Sequence, residues 1–152
     1  MDAAALMDAA DRMVIQHACS ELVLRAAACV DGSDAAGLAR LFSQDAVLVR
    51  PGGAALHGRE AIRGAYAQRP ADRITRHLVT NTVVEIESPT RARALSYVLL
   101  WTGSATDAAG PNGRPAQPRQ VVGEFDDRFS FTPDAGWLIQ RREARFVLHS
   151  GD

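Results

Sequence analysis

Asp31 and His77 are the two residues whose types and places first suggest chemistry. Asp31 stands at the end of a helical pattern, where the helix dipole is negative and a carboxylate is disfavoured. Either function holds it there, or it is a turn residue bonding its own backbone beside Gly32. His77 lies in R-H-L-V-T-N, a stretch of strand-forming residues. A histidine there is either satisfied within the core or an acid–base group working near neutral pH. Asp127 is a third candidate. It interrupts the otherwise apolar row Gly123, Phe125, Phe129 and Phe131, while Glu124, Asp126, Arg128 and Ser130 form the solvent row. A carboxylate on an apolar face needs a partner, and Arg142 or Arg141 on the adjoining strand can supply it, as a structural pair or as part of a substrate site.

Other chemistries find no support. His17, His57 and His149 are scattered, with no H-x-H or H-E-x-x-H spacing, so no metal is expected. Cys19 and Cys29 lie ten residues apart within one helical pattern, unlike a C-x-x-C motif, and are read as buried thiols. All 17 basic residues are arginine, which removes Schiff-base catalysis, a pyridoxal-anchoring lysine and a P-loop lysine. Against 18 acidic residues they leave a net charge of −1, which offers no field for nucleic acid or an anionic membrane. The acidic N-terminal stretch does not resemble a signal peptide, and no unbroken apolar run reaches membrane-span length, so a cytoplasmic protein is expected.

The positioning elements follow from periodicity. The 152 residues suit one domain, over 11–149, preceded by a tail or helix extension over 1–10. Of the hydrophobic 47%, 27 residues are alanine, so the heavy packing falls to a limited set of larger side chains. Val14, Ile15, Ala18, Cys19, Leu22, Ala26 and Cys29 recur at helical spacing between Asp11 and Val30. Asp31-Gly32 stops that helix, and Ser33 or Asp34 caps a short second one ending near Leu41. A strand over Ala46–Val49 ends at Pro51-Gly52-Gly53, and a third helix runs from Arg59 to about Gln68. Long antiparallel strands are expected over Ile74–Glu87, Arg91–Thr102, Gln120–Phe131 and Trp137–His149, with a mobile hairpin loop over Gly103–Arg119. Three helices and such strands make an α+β layer, and a curved sheet that one helix layer cannot fill leaves a cavity.

The order helix, helix, strand, G-R-E-A-I helix, then R-H-L-V-T-N, A-L-S-Y, G-E-F-D-D-R-F and G-W-L-I-Q-R-R resembles the SnoaL-like branch of the nuclear-transport-factor-2-like superfamily, over about Met13 to Leu148. The resemblance implies a cone-shaped α+β barrel, with three N-terminal helices packed in a strongly curved mixed or antiparallel sheet, often dimeric through the outer sheet face. It also implies an acid/base aspartate at Asp31 and a cavity histidine at His77, paired as a catalytic dyad. An Asp beside a His fixes the imidazole tautomer and raises its basicity. Scytalone-dehydratase-like members carry two tyrosines and a second cavity histidine where this chain has Val30, Val47 or Val49, and Ser96.

The leading expectation is a cofactor-free dehydratase or isomerase acting on a hydrophobic hydroxy-carbonyl compound of polyketide, steroid or aromatic type. The residues expected to bind substrate are Asn81, Ser96, Tyr66, Trp101, Phe125, Asp127 and Arg142. Asn81, with Val79 and Val83, is placed on the face of His77 by strand alternation. Two other readings remain: a non-catalytic subunit, since the same stretches resemble the β subunits of aromatic-ring-hydroxylating dioxygenases, and a metabolite-binding accessory protein.

Overall fold

The computed structural model describes residues 7–152, so the first six residues of the expected 1–10 segment lie outside the described residues. Helix α1 (Ala9–Asp31) starts where the Asp8 carboxylate accepts the Asp11 N–H, which places residues 9 and 10 inside the helix rather than in a tail. It buries Ile15, Cys19, Leu22, Val23, Ala26 and Ala27 at helical spacing. Val14, expected on that face, is 67% exposed, because one residue turns it about 100° from Ile15. By length and composition α1 is apolar enough to cross a membrane, which a search for unbroken apolar runs misses; in this fold its buried face packs on the sheet.

Helix α2 (Ala35–Arg40) is capped by Asp34 and not Ser33, the carboxylate accepting the Gly37 N–H at 2.8 Å. Strand β1 (Phe42–Val49) begins earlier than expected, because Ser43, Gln44 and Asp45 sit in an irregularity of its pairing that interrupts the hydrophobic pattern. Strand β2 (Ala55–His57), too short to leave a pattern, pairs with β1 and was not expected. Helix α3 (Arg59–Ala67) is entered through Gly58 at φ 88°, a backbone conformation that favours glycine. Arg59 then donates two hydrogen bonds to the Phe42 carbonyl, at 2.8 and 2.6 Å, tying α3 to the irregular start of β1. The opening of the G-R-E-A-I segment thereby has a structural explanation.

Strands β3 (Arg73–Ser88), β4 (Arg91–Ser104), β5 (Gln120–Thr132) and β6 (Gly136–Ser150) fall within one or two residues of the expected bounds. The sheet order is β2-β1-β6-β5-β4-β3, antiparallel except for the β1–β6 pair. Register shifts in β3, β5 and β6 bend it around α1, giving the curved mixed α+β sheet. The core joins α1 to Leu38, Phe42, Leu48, Ile62, Phe129 and Ile139. Gly103 and Ser104 belong to β4, and the following loop folds back on it: Gly103 bridges Ala116, and the Gln117 N–H reaches the Thr102 carbonyl at 2.8 Å.

The alternation expected on β5 holds from Phe125 to Phe129, while Glu124, expected in the solvent row, borders the cavity beside Gly123. Phe131 departs from it, 36% exposed and packed 5.6 Å from the Trp137 ring. Asp127 is fully buried and faces Arg142 across the β5–β6 ladder. Arg142 grips it with both arms of the guanidinium, Nε to Oδ1 at 2.7 Å and Nη2 to Oδ2 at 2.8 Å. Arg141 points to the exposed side near Glu143, which settles the choice between the two arginines. A buried pair broken on one side leaves an uncompensated charge, so Asp127→Ala is expected to lose about 3–5 kcal/mol of stability. Urea unfolding of wild type and variant measures this.

Candidate active site

The end of α1 meets the start of β3 through one carboxylate. Asp31 Oδ1 accepts from His77 Nδ1 at 2.6 Å and from the Thr75 hydroxyl at 2.8 Å, and Oδ2 accepts the His77 backbone N–H at 2.9 Å. Because β3 is the edge strand of the sheet, this backbone donor has no neighbouring strand, and the carboxylate takes that place. An ionised carboxylate only accepts, so Nδ1 carries the proton and a neutral His77 keeps its free lone pair on Nε2. Both side chains are about 15% exposed. Burial pushes the Asp31 carboxyl up, but the bonds from the His77 ring, the His77 backbone and Thr75 outweigh it, and the net shift is below the ordinary value.

Arg69, just after α3, supports this arrangement from outside. It donates to the Val30 carbonyl at 2.9 Å and to the Thr75 oxygen at 2.7 Å. The Thr75 hydroxyl, accepting from Arg69, directs its own proton to Asp31. A cation bound to a carbonyl of the last turn also offsets the negative end of α1, where a carboxylate would otherwise be disfavoured. Neither Arg69 nor Thr75 was singled out in the sequence. Thr75 had a signal, since it lies two residues before His77 on the same strand face; Arg69, in a connection rich in arginine, had none.

His77 forms part of the wall of a cavity of about 470 Å³, within the range of small-molecule sites. Val30, Leu38, Phe42, Leu48, Val98 and Phe125 give it an apolar lining. Of the residues expected to bind substrate, Tyr66, Phe125 and Arg142 line it. Arg142 also stacks on Phe125, its guanidinium carbon 4.0 Å from the ring centroid. Asp127 sits behind the wall, where it holds Arg142.

The other placements need correction. Asn81 has φ 53° and is exposed, at a bulge between Thr80 and Val83 that inverts the alternation. Thr82 and Val84 therefore turn inward, and Val83 is 63% exposed. Ser96 is fully buried, bonded to Thr82 at 2.9 Å, and does not reach the cavity. Trp101 lies on the outer face, 39% exposed, in the same alternating row of β4 as Tyr97 and Leu99. On β1, Leu48 lines the cavity in place of Val47 or Val49. Cys19 is buried as expected, and burial, with Asp127 nearby, pushes its thiol up to about 12. Cys29 is only half-buried.

Comparison with known proteins agrees with this architecture. The SnoaL-like domain family matches residues 11–143, and the chain belongs to it. No curated protein matches the sequence significantly. Among solved structures, a protein assigned as a scytalone dehydratase from Novosphingobium aromaticivorans is 21% identical, covering 94% of this chain and 91% of its own, with a TM-score of 0.78. The hexachlorocyclohexane dehydrochlorinase LinA-type3 of Novosphingobium barchaimii LL02 is 17% identical, covering 94% and 93%, with the same TM-score. A protein assigned as an aromatic ring hydroxylase, also from N. aromaticivorans, is 23% identical, covering 90% and 92%, at 0.71. These likenesses show a shared nuclear-transport-factor-2-like cone.

The lowered pKa of Asp31 has a consequence for acid stability. A carboxyl whose pKa is depressed on folding contributes stability that is present above its unfolded value of about 4 and lost as pH falls through the folded value. Asp31→Asn is therefore expected to flatten the fall in melting temperature below about pH 4. Thermal unfolding across the acid range checks this, and an unchanged slope would exclude Asp31 as a contributor.

Proposed function

We propose that this chain is a dehydratase or isomerase acting on a hydroxy-carbonyl compound by cofactor-free acid–base catalysis, with Asp31 and His77 as the dyad. The observation that carries this reading is the 2.6 Å bond between His77 Nδ1 and Asp31, which leaves Nε2 as the free ring nitrogen of a cavity-wall histidine. Nε2 takes a proton from the carbon beside the substrate carbonyl, and the Asp31 carboxylate stabilises the imidazolium that forms. The electron pair of the broken C–H bond moves onto the carbonyl oxygen as an enolate. In dehydration the enolate expels the β-hydroxyl, which leaves as water with the proton from Nε2. In isomerisation the same proton returns to a different carbon. Arg142, whose Nη1 has no bonded partner among the described residues, offers a fixed positive charge for the enolate oxygen.

The valines at the expected tyrosine positions, Val30 and Val47 or Val49, favour a route that does not depend on tyrosine hydroxyls there. Arg142, held in place by Asp127, supports polarisation of the carbonyl without them. Purified His77→Ala and Asp31→Asn, assayed against a panel of hydroxy-ketones and hydroxy-acids, are expected to lose about 10²–10⁴-fold in turnover. Equal turnover by wild type and both variants would remove the dyad from the mechanism.

We also propose that two copies associate through the outer sheet face. Leu78, Leu99, Val122 and Leu148 align there across β3, β4, β5 and β6, and Leu78 and Leu148 are 51% and 65% exposed. Light scattering on the purified chain is expected to give twice 16.3 kDa. A monomer would overturn the pairing, and a stable complex only with a Rieske-type partner would support an assembly role in place of catalysis.

A further inference from the structure

The cavity wall is cationic to a degree that a neutral substrate does not explain. Arg50, Arg69, Arg73, Arg142 and Arg145 line it beside a single acid, Glu124. Arg142 is matched by Asp127 behind the wall, and Arg145 by Glu124. Arg69 directs its bonded donors to two carbonyls and to Thr75. Arg50 and Arg73 have no ion pair and no side-chain hydrogen bond among the described residues. The Arg50 guanidinium carbon lies 5.6 Å from the centroid of the Tyr66 ring. The Tyr66 hydroxyl also lacks a bonded partner among the described residues, although the side chain is half-buried in the cavity wall. A concave wall in which cations outnumber acids concentrates its field on whatever enters.

We propose that the cavity binds its substrate as a carboxylate, held by the Arg50 guanidinium and the Tyr66 hydroxyl in the field of Arg69 and Arg73, with the apolar body of the substrate extending towards His77. The guanidinium fork matches a carboxylate with two parallel bonds, and a phenol hydroxyl donates a further one. Electrostatics around Tyr66 agree: burial pushes its hydroxyl above the ordinary value, while Arg142, Arg50 and Arg69 each pull it down, so three positive charges act on one hydroxyl. This rests on the acid–base reading above only in taking the cavity as the substrate site, and it narrows the substrate to hydroxy-carbonyl compounds that carry a carboxylate in addition to the reacting carbonyl.

The test compares acids with their own neutral amides, using benzoate and benzamide, cinnamate and cinnamamide, and 1-naphthoate and 1-naphthamide, with binding followed by calorimetry. At least one acid is expected to bind about tenfold more tightly than its amide, with the preference weakening as ionic strength rises from about 0.05 to 0.5 M. Arg50→Gln is expected to bring that ratio close to one. Tyr66→Phe, with circular dichroism as a folding check on both variants, is expected to reduce it in part. No acid preference in any pair, including no binding at all, overturns the proposal, and so does a ratio that Arg50→Gln leaves unchanged. Repeating the measurement on His77→Ala separates the two readings. Acid preference retained there without turnover in wild type removes only the catalytic reading, whereas turnover of neutral ketones without acid preference removes only this one.

Discussion

One carboxylate joins the two halves of this chain. Asp31 accepts three hydrogen bonds, from the Thr75 hydroxyl, the His77 backbone and the His77 ring. Two of those donors hold β3 against the end of α1, and the third aligns the imidazole. The contact between helix and strand and the orientation of the imidazole therefore depend on the same two oxygen atoms. A carboxylate at the negative end of a helix is tolerated because Arg69 occupies a carbonyl of the last turn and the Thr75 oxygen, so the nearest cation lies one hydroxyl away.

A buried charge pair holds another part of the cavity wall. Asp127 and Arg142 face each other across β5 and β6, out of water, in a two-pronged geometry that fixes the guanidinium. Arg142 is thereby held flat against Phe125 with one nitrogen left over. A flexible cation at this place would fold back on its own acid or swing out to solvent. The cavity wall thus carries an imidazole from β3 and a fixed guanidinium from β6 among apolar side chains.

Much of this was legible before any coordinates. Strand lengths followed from runs of β-branched residues, and the pairing of Asp127 followed from a charge interrupting an apolar row. The dyad was implied by resemblance, since forty-six residues separate Asp31 and His77 and no local pattern connects them. What escaped notice had physical reasons. Strand β2 is three residues long, too short for alternation to register. Trp101 and Ser96 depend on which face of β4 is concave, and amino-acid type alone does not say. Arg50 and Arg69 lie in connections, where no periodicity assigns a direction to a side chain.

Asn81 lies within a strand, yet alternation also fails there. The extra residue in β3 lets the first half of the strand turn Thr75, His77 and Val79 inward while the second half turns in Thr82, Val84 and Ile86. The two halves are out of phase by one residue. Removing one residue here would reverse the facing of one half of the strand relative to the other, so this bend should tolerate a change of length less well than the Pro-rich hairpin between β4 and β5. The number of residues through β3, as much as their identity, decides whether His77 faces the cavity.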